Sequence, residues 1–303
     1  MQIVWLGQGG LLFVSEKKKI LIDPYLSNSM RLIDKMFKRR VKIKKKLFKI
    51  SPDVIILTNS HQDHADSRTL SKFLSKKSKK KVTVLACREA YEKLFSSKDF
   101  AKANPFVFGC GDEWTFDTLH IKGVRARTDD AGAFGLLITD QVESKQYYIA
   151  SNTLYNESIF EDVPEGLFAS FIPISGKYGC MNMTDAIRFA KRINAEYSVP
   201  INYGMFDTID ADEFRVPGKV IPKPNRAIEF NILPFQSFFA PKVFDSRFNE
   251  KKKKPKKKEV IVVESEISEE DIASIVLEDT IEVPVPPTEE EVPVGDATEG
   301  AES

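Results

Sequence analysis

Thr58–Asp66, which reads TNSHQDHAD, decides the fold of this chain. It follows Val54–Leu57, a run of four aliphatic residues that predicts a strand buried on both faces. The loop contains His61 and His64, with Asp63 between them. Loops at the carboxyl ends of strands commonly carry binding sites, and imidazole and carboxylate are metal ligands, so the pattern favours a metal site. An exposed polar loop with incidental histidines remains the alternative from these residues alone.

Short strands and helices are predicted on both sides of this loop. Strands are predicted upstream at Ile3–Leu6, Leu11–Val14 and Ile20–Ile22, and downstream at Val82–Ala86 and Thr115–Val124. Helices are predicted after Ser67, over Glu89–Phe95 and over Thr184–Ala195. Strands that first form hairpins and later alternate with helices predict an α/β fold of two facing sheets with helices outside.

Charge and composition divide the chain near residue 248. Residues 251–303 contain seven lysines and fifteen acidic residues, a net charge of −8; the whole chain carries +1, so residues 1–250 carry +9. We predict one domain over residues 1–248, with an exposed, basic, helical insertion at residues 31–49. Residues 249–303 are predicted to be a disordered tail, a basic run followed by an acidic segment, because they lack the apolar residues that a core needs.

Composition also bears on location. The three cysteines are widely spaced and predict no disulfide framework. The chain begins without the basic and apolar regions of a secretory signal, and no stretch of residues has the apolar length of a membrane span. A cytoplasmic location is therefore expected. Lysine-rich runs at residues 31–49 and Lys76–Lys81 lack interleaved aromatics, which disfavours nucleic acid as a partner.

Taken together, the motifs resemble the metallo-β-lactamase superfamily. TNSHQDHAD is similar to its T-H-x-H-x-D-H-x-D loop, and WLGQGG (Trp5–Gly10) and LIDPYL (Leu21–Leu26) are similar to its opening strands. ASNT (Ala150–Thr153) stands where the family has a Gly-Asp-Thr turn. NMTDAIRFAKRINAEYSVPINYGMF (Asn182–Phe206) resembles the ascorbate-6-phosphate lactonase subgroup. The resemblance implies an αββα sandwich, the metallo-β-lactamase fold, with its site along one edge between the sheets.

The resemblance also implies which residues occupy the two metal positions of the family. The first position maps to Asn59, His61 and a residue near Asp129 and Asp130, of which Asp130 is the predicted ligand. The second maps to Asp63, His64 and Asn202, and the bridging position maps to Asn152. Three ligand positions are therefore asparagine. A neutral amide cannot compensate two dications, so a dinuclear zinc site is disfavoured.

The remaining residues predict a site with fewer metal ligands than the family has. His61, Asp63, His64 and Asp130 could hold one divalent ion weakly, Mn²⁺, Mg²⁺ or Zn²⁺; a site without metal is an equally open alternative. Asp63 is the predicted catalytic residue, because it helps to activate metal-bound water in the family.

The expected function is that of a non-catalytic or very weak, lactonase-like hydrolase that binds a small ligand or a partner. The alternative is an active, mononuclear hydrolase of a lactone or a phosphorylated small molecule, so whether the chain is an enzyme remains open. Lys177 and Tyr178 could face the pocket, but we expect them to lie in a solvated loop.

Overall fold

Two β-sheets face each other in the described part of the chain. The structure, a computed structural model, describes residues 1–15, 18–39, 45–96, 100–206 and 237–238. All of these lie within one unit, Met1–Val263. The predicted tail at residues 249–303 and the domain boundary at residue 248 lie outside the described residues.

The first sheet has seven strands in the order β13-β1-β2-β3-β4-β5-β6. Its strands are β1 (Gln2–Gly7), β2 (Gly10–Ser15), β3 (Lys18–Ile22), β4 (Val54–Leu57), β5 (Val82–Ala86), β6 (Ala103–Val107) and β13 (Ser237–Phe238). β1, β2 and β3 pair antiparallel as hairpins, and β3 to β6 run parallel. Because β3 and β4 are parallel neighbours, the residues that follow them emerge at the same edge.

The second sheet has six strands in the order β12-β11-β10-β9-β8-β7. Its strands are β7 (Glu113–Phe116), β8 (Leu119–Arg125), β9 (Phe134–Asp140), β10 (Lys145–Ile149), β11 (Ala169–Pro173) and β12 (Tyr197–Ile201). β10, β11 and β12 run parallel, so their carboxyl ends also share an edge. The strand predicted at Thr115–Val124 is in fact a hairpin of β7 and β8, which turns at Asp117 with φ of 58°.

Aromatic contacts join the two sheets. The ring of Phe13 in β2 lies 5.9 Å from the ring of Tyr147 in β10 and 6.1 Å from that of Phe171 in β11. All three side chains are buried. Burial of such large rings is a major favourable term in folding. The predicted α/β sandwich of two facing sheets is confirmed.

Three α-helices pack on these sheets: α1 (Ser67–Leu74), α2 (Arg88–Phe95) and α3 (Met183–Ile193). The N-cap of α1 is Asp66, whose carboxylate accepts from the backbone N–H groups of Arg68 and Thr69. Asn182 caps α3, accepting from the Asp185 N–H at 2.8 Å. None of the helices in the described ranges has the length and apolar character that crossing a membrane requires.

The predicted helix in the basic insertion is wrong for its described residues. Met30–Leu32 and Lys35–Phe37 form two separate 3₁₀ turns. Asp34 interrupts them with an extended backbone, and its side chain accepts from the Met36 N–H at 2.8 Å. This local side-chain hydrogen bond competes with a continuous helix. Met30, Ile33 and Phe37 line the cleft described below.

Gly123 in β8 lies directly against the turn that precedes β7. Its N–H donates to the carbonyl of Asp112 at 2.9 Å, and its carbonyl accepts from the Gly111 N–H at 2.9 Å. A Cβ added at Gly123 would lie 1.9 Å from the backbone oxygen of Gly109, whereas one added at Gly109 would meet nothing within 4 Å. The strand and the turn therefore need a glycine at residue 123.

We predict that Gly123→Ala lowers the free energy of unfolding by about 1–3 kcal/mol, as overpacking against backbone usually does. Gly109→Ala, the matched control, should leave it nearly unchanged. Urea denaturation of both variants measures the difference. Equal midpoints for the two variants would contradict the described pairing of β8 with this turn.

Candidate metal and ligand site

Loops from both sheets meet at one edge of the sandwich. The loop after β4 contains Thr58, whose carbonyl accepts from the Phe134 N–H at the start of β9 at 3.0 Å. Asn202, which follows β12, donates its N–H to the carbonyl of Gln8, after β1, at 3.0 Å. These backbone bonds hold the ends of the strands together, so the polar residues that follow the strands converge.

Asp23 anchors this edge. It follows β3 and is 1% exposed. One carboxylate oxygen accepts from the backbone N–H of Thr58 at 2.8 Å, and the other accepts from the Thr58 hydroxyl and from Nδ1 of His64 at 2.9 Å. The carboxylate thereby fixes both the start of the loop and the orientation of its second histidine.

His64 is fully buried and has one ring nitrogen left over. Its Nδ1 is bonded to Asp23, while Nε2 has no hydrogen-bond partner among the described residues and lies 3.9 Å from Oδ2 of Asp63. Burial by itself lowers the pKa of His64, but the charges of Asp23 and Asp63 outweigh it and raise that pKa to about 9. Without a cation, the His64 ring is therefore protonated at neutral pH. A divalent ion held beside Asp63 would displace the proton from the otherwise unpartnered Nε2, which would then serve as a ligand.

Gln8 positions Asp63. The Gln8 amide donates to Oδ2 of Asp63 at 2.9 Å, and its own Oε1 is buried without a partner among the described residues. Neighbouring Gly9 is required by His64, because a Cβ at that position would lie 2.7 Å from His64 Cε1. Two residues of the WLGQGG motif therefore support the loop: Gln8 holds Asp63, and Gly9 leaves room for the ring of His64.

His61 is engaged at both ring nitrogens. Its Nδ1 accepts from the Asn152 amide at 3.1 Å, which places the proton of neutral His61 on Nε2. That Nε2 lies 3.4 Å from Oδ1 of Asp129. In this arrangement, neither nitrogen offers a free lone pair to an ion.

Two of the three asparagines, Asn152 and Asn202, form a hydrogen-bonded network with Cys180. Asn152 Oδ1 accepts from the Asn202 amide at 2.6 Å and from the Cys180 thiol at 3.1 Å. Burial raises the pKa of Cys180 to about 12, so the thiol keeps its proton and remains a donor. Asn59 lies on the other side of His61, where its Oδ1 accepts from the His61 N–H and its amide donates to Ser151. Cys180 was not predicted as a site residue, and its spacing carries no signal for that role.

The carboxylate of Asp130 is bonded to backbone groups of the loops. Its carboxylate accepts from the Ser60 N–H at 2.6 Å and from the Gly132 N–H at 3.2 Å, and it groups with Cys87 and Glu89. Asp129 is the acidic residue that the structure places beside His61. The remaining predicted positions, Asn59, His61, Asp63, His64, Asn152 and Asn202, are brought together at this edge.

The residues present fit one cation better than two. Asp63 and Nε2 of His64, with 3.9 Å between Oδ2 and Nε2, are adjacent candidate ligands for one ion, and Asn202 Oδ1 is a further buried oxygen with no partner among the described residues. Around the first predicted position, Asn59 and His61 are satisfied by neighbouring groups. The side chains of Asp63 and His64 are therefore the ones that could hold a divalent ion.

A cleft of about 530 Å³ opens above these residues. Its polar floor includes Gln8, His61, Asp63, Asn152, Cys180 and Asn202. Its rim is formed by Met30, Ile33, Phe37, Tyr178 and Phe206, with Lys93 and Lys177 beside them. Phe37 packs on Tyr178 at 5.8 Å and on Phe206 at 5.4 Å between ring centroids. Lys177 and Tyr178 therefore line the cleft while remaining exposed, so their loop is solvated and also borders the cleft.

Backbone conformation is unusual around the same cleft. Gln8, Asp23, Ser151, Tyr178 and Asn202 all have φ between 43° and 62°. This left-handed region costs energy for residues other than glycine, and such residues concentrate at functional sites. The cluster supports a site at this edge independently of the side-chain chemistry.

Comparisons with known proteins agree with this geometry. Residues 2–146 match the family model described as the beta-lactamase superfamily domain. A UPF0173 metal-dependent hydrolase of Ligilactobacillus salivarius is 28% identical over 219 residues, 70% of this chain and 89% of that protein. A UPF0173 metal-dependent hydrolase of Thermoplasma volcanium is 27% identical, over 71% of this chain and 89% of that protein.

Solved structures share the architecture at lower sequence identity. The isothiocyanate hydrolase from Delia radicum gut bacteria superposes with a TM-score of 0.54 at 21% identity, covering 69% of this chain and 87% of that one. The metallo-β-lactamase fold protein YhfI from Bacillus subtilis superposes with a TM-score of 0.51 at 17% identity, covering 66% of this chain and 85% of that one. The chain therefore has the metallo-β-lactamase fold, and its residues 2–146 match the family model of the beta-lactamase superfamily domain.

Proposed function

We propose that this chain is a lactonase-like protein of the metallo-β-lactamase fold that binds a small ligand in the cleft, with at most one weakly held divalent ion and with very weak or no hydrolysis. The observation that carries the proposal is the hydrogen-bonded network that joins Asn152 to His61, Asn202 and Cys180. The relatives named metal-dependent hydrolases support the chemical class of the site.

The amide network argues against two ions. Two dications held a few ångströms apart repel each other strongly unless a carboxylate lies between them. Asn152 carries no charge, and its two polar atoms already bind neighbouring side chains. A second ion would therefore have to break these bonds and would gain no compensating charge.

Asp63 and His64 retain the side-chain groups that could bind one ion. Asp23 holds Nδ1 of His64, and such a carboxylate–histidine pair orients the remaining nitrogen toward a metal. A bound divalent ion would supply Lewis-acid chemistry. Asp63 would hold a proton at its carboxylate, Gln8 would keep that carboxylate in place, and the aromatic rim would exclude water from a bound ligand.

One observation favours the alternative of an active mononuclear hydrolase. Nε2 of His64 and Oδ1 of Asn202 are buried and unpartnered among the described residues, and Asp63 is adjacent to His64. Such a hydrolase would act on a lactone or a phosphorylated small molecule. The apolar rim would accept the body of such a substrate, and Lys93 and Lys177 would face its anionic group.

We predict that Asn152→Asp reverses the tautomer of neutral His61. The new carboxylate accepts a hydrogen bond from Nδ1–H, whereas the native amide donates one to Nδ1. Ring ¹⁵N chemical shifts should then report protonated Nδ1. His120, which lies beside Glu113 on the surface, is an internal control and should not change. Unchanged His61 shifts would contradict the described network.

We predict at most one equivalent of a divalent ion per chain after dialysis, measured by elemental analysis. Asp23→Asn should weaken Mn²⁺ binding by about tenfold to a hundredfold, because it removes the group that orients His64. Asn59→Ala is the matched control and should leave Mn²⁺ affinity unchanged, since Asn59 is bonded to Ser151 and His61. Two tightly held zinc equivalents would refute the proposal.

We predict that the wild-type chain hydrolyses a panel of lactones and phosphoesters slowly or not at all. The combined variant Asn59→His, Asn152→Asp and Asn202→His restores the family's ligands and should gain hydrolysis that a chelator removes. Rapid wild-type turnover that His64→Ala abolishes would instead establish the mononuclear hydrolase.

A further inference from the structure

A surface beside the cleft combines exposed aliphatic side chains with unpaired cations. Leu32, Ile33 and Met36 are 67%, 66% and 46% exposed, which is high for apolar residues that are close in the chain. They lie in or next to two 3₁₀ turns, Met30–Leu32 and Lys35–Phe37. Clusters of this kind usually mark an interaction site, because isolated exposed apolar residues are common but adjacent ones are not.

Basic side chains surround these residues. Arg31, Lys35 and Arg68 line a shallow depression together with Leu32 and Ile33. No acidic partner is found for these three cations within the described ranges, although Asp34 lies among them with its carboxylate bonded to the Met36 N–H. In the sequence, residues 31–49 contain ten Lys or Arg and one acidic residue. The surface therefore favours an anionic partner that can also accept aliphatic side chains.

We propose that Arg31–Met36, together with Arg68, is a docking surface for anionic lipid membranes. Aliphatic side chains can enter the boundary between lipid headgroups and acyl chains, while the Arg and Lys side chains contact anionic headgroups. Nucleic acid fits this surface less well, because single strands are bound by exposed aromatic rings. The nearest aromatic ring, Phe37, is packed between Tyr178 and Phe206.

Binding of the full chain to vesicles tests the proposal. Phosphatidylcholine vesicles that contain phosphatidylserine should bind the chain more tightly than phosphatidylcholine alone, and added salt should weaken the binding. Leu32→Ser with Ile33→Ser should lower the affinity at least about tenfold, because these side chains leave water on binding. Arg31→Gln with Lys35→Gln should lower it about thirtyfold, from two lost lipid contacts.

The controls separate a membrane from other anionic partners. Val142→Ser replaces an aliphatic residue that is 70% exposed in the turn between β9 and β10, and it should leave vesicle binding unchanged. A single-stranded polynucleotide, tested in parallel, should bind weakly, and the Leu32 and Ile33 substitutions should not affect it. Vesicle binding that these substitutions leave intact would overturn the proposal. Tight polynucleotide binding without vesicle binding would overturn it as well and would assign the surface to nucleic acid.

Discussion

The buried carboxylate of Asp23 is the constraint on which the rest of the site depends. It binds the backbone and hydroxyl of Thr58 and also Nδ1 of His64, so one side chain joins the end of β3, the end of β4 and the loop. Removing one partner from a buried, charged hydrogen-bond network typically costs about 3–5 kcal/mol. The carboxylate therefore gives both stability and a fixed orientation to His64, and Gly9 leaves the space in which that ring fits.

The asparagines change what this scaffold can do. In a two-metal site, carboxylates and imidazoles converge, and their mutual repulsion is offset by the ions. Here Asn152, Asn202 and His61 satisfy one another through neutral hydrogen bonds, so most of the floor is stable without any ion. Buried atoms left without a partner among the described residues include Nε2 of His64, which lies 3.9 Å from Oδ2 of Asp63, together with Oδ1 of Asn202 and Oε1 of Gln8. Charge balance therefore favours one cation at most.

The basic insertion links the cleft to the outer surface. Ile33 lines the cleft and is also two-thirds exposed to solvent, and Phe37 closes the rim against Tyr178 and Phe206. Asp34, with its extended backbone, separates the turns Met30–Leu32 and Lys35–Phe37, so these residues do not form one continuous helix.

The sequence by itself determined the facing sheets, the buried strand Val54–Leu57 and the convergence of His61, Asp63 and His64 in the loop that follows it. Local patterning suffices there, because aliphatic runs specify buried strands and a short loop keeps its residues together. The sequence did not decide which acidic residue faces His61, since Asp129 and Asp130 are adjacent and the turn of the loop directs one to His61 and the other to the Ser60 N–H. It also did not reveal Cys180 or the rim formed by Phe37, Tyr178 and Phe206, which are distant in the chain. Only the tertiary structure decided these contacts, because they depend on how loops from two sheets pack against each other.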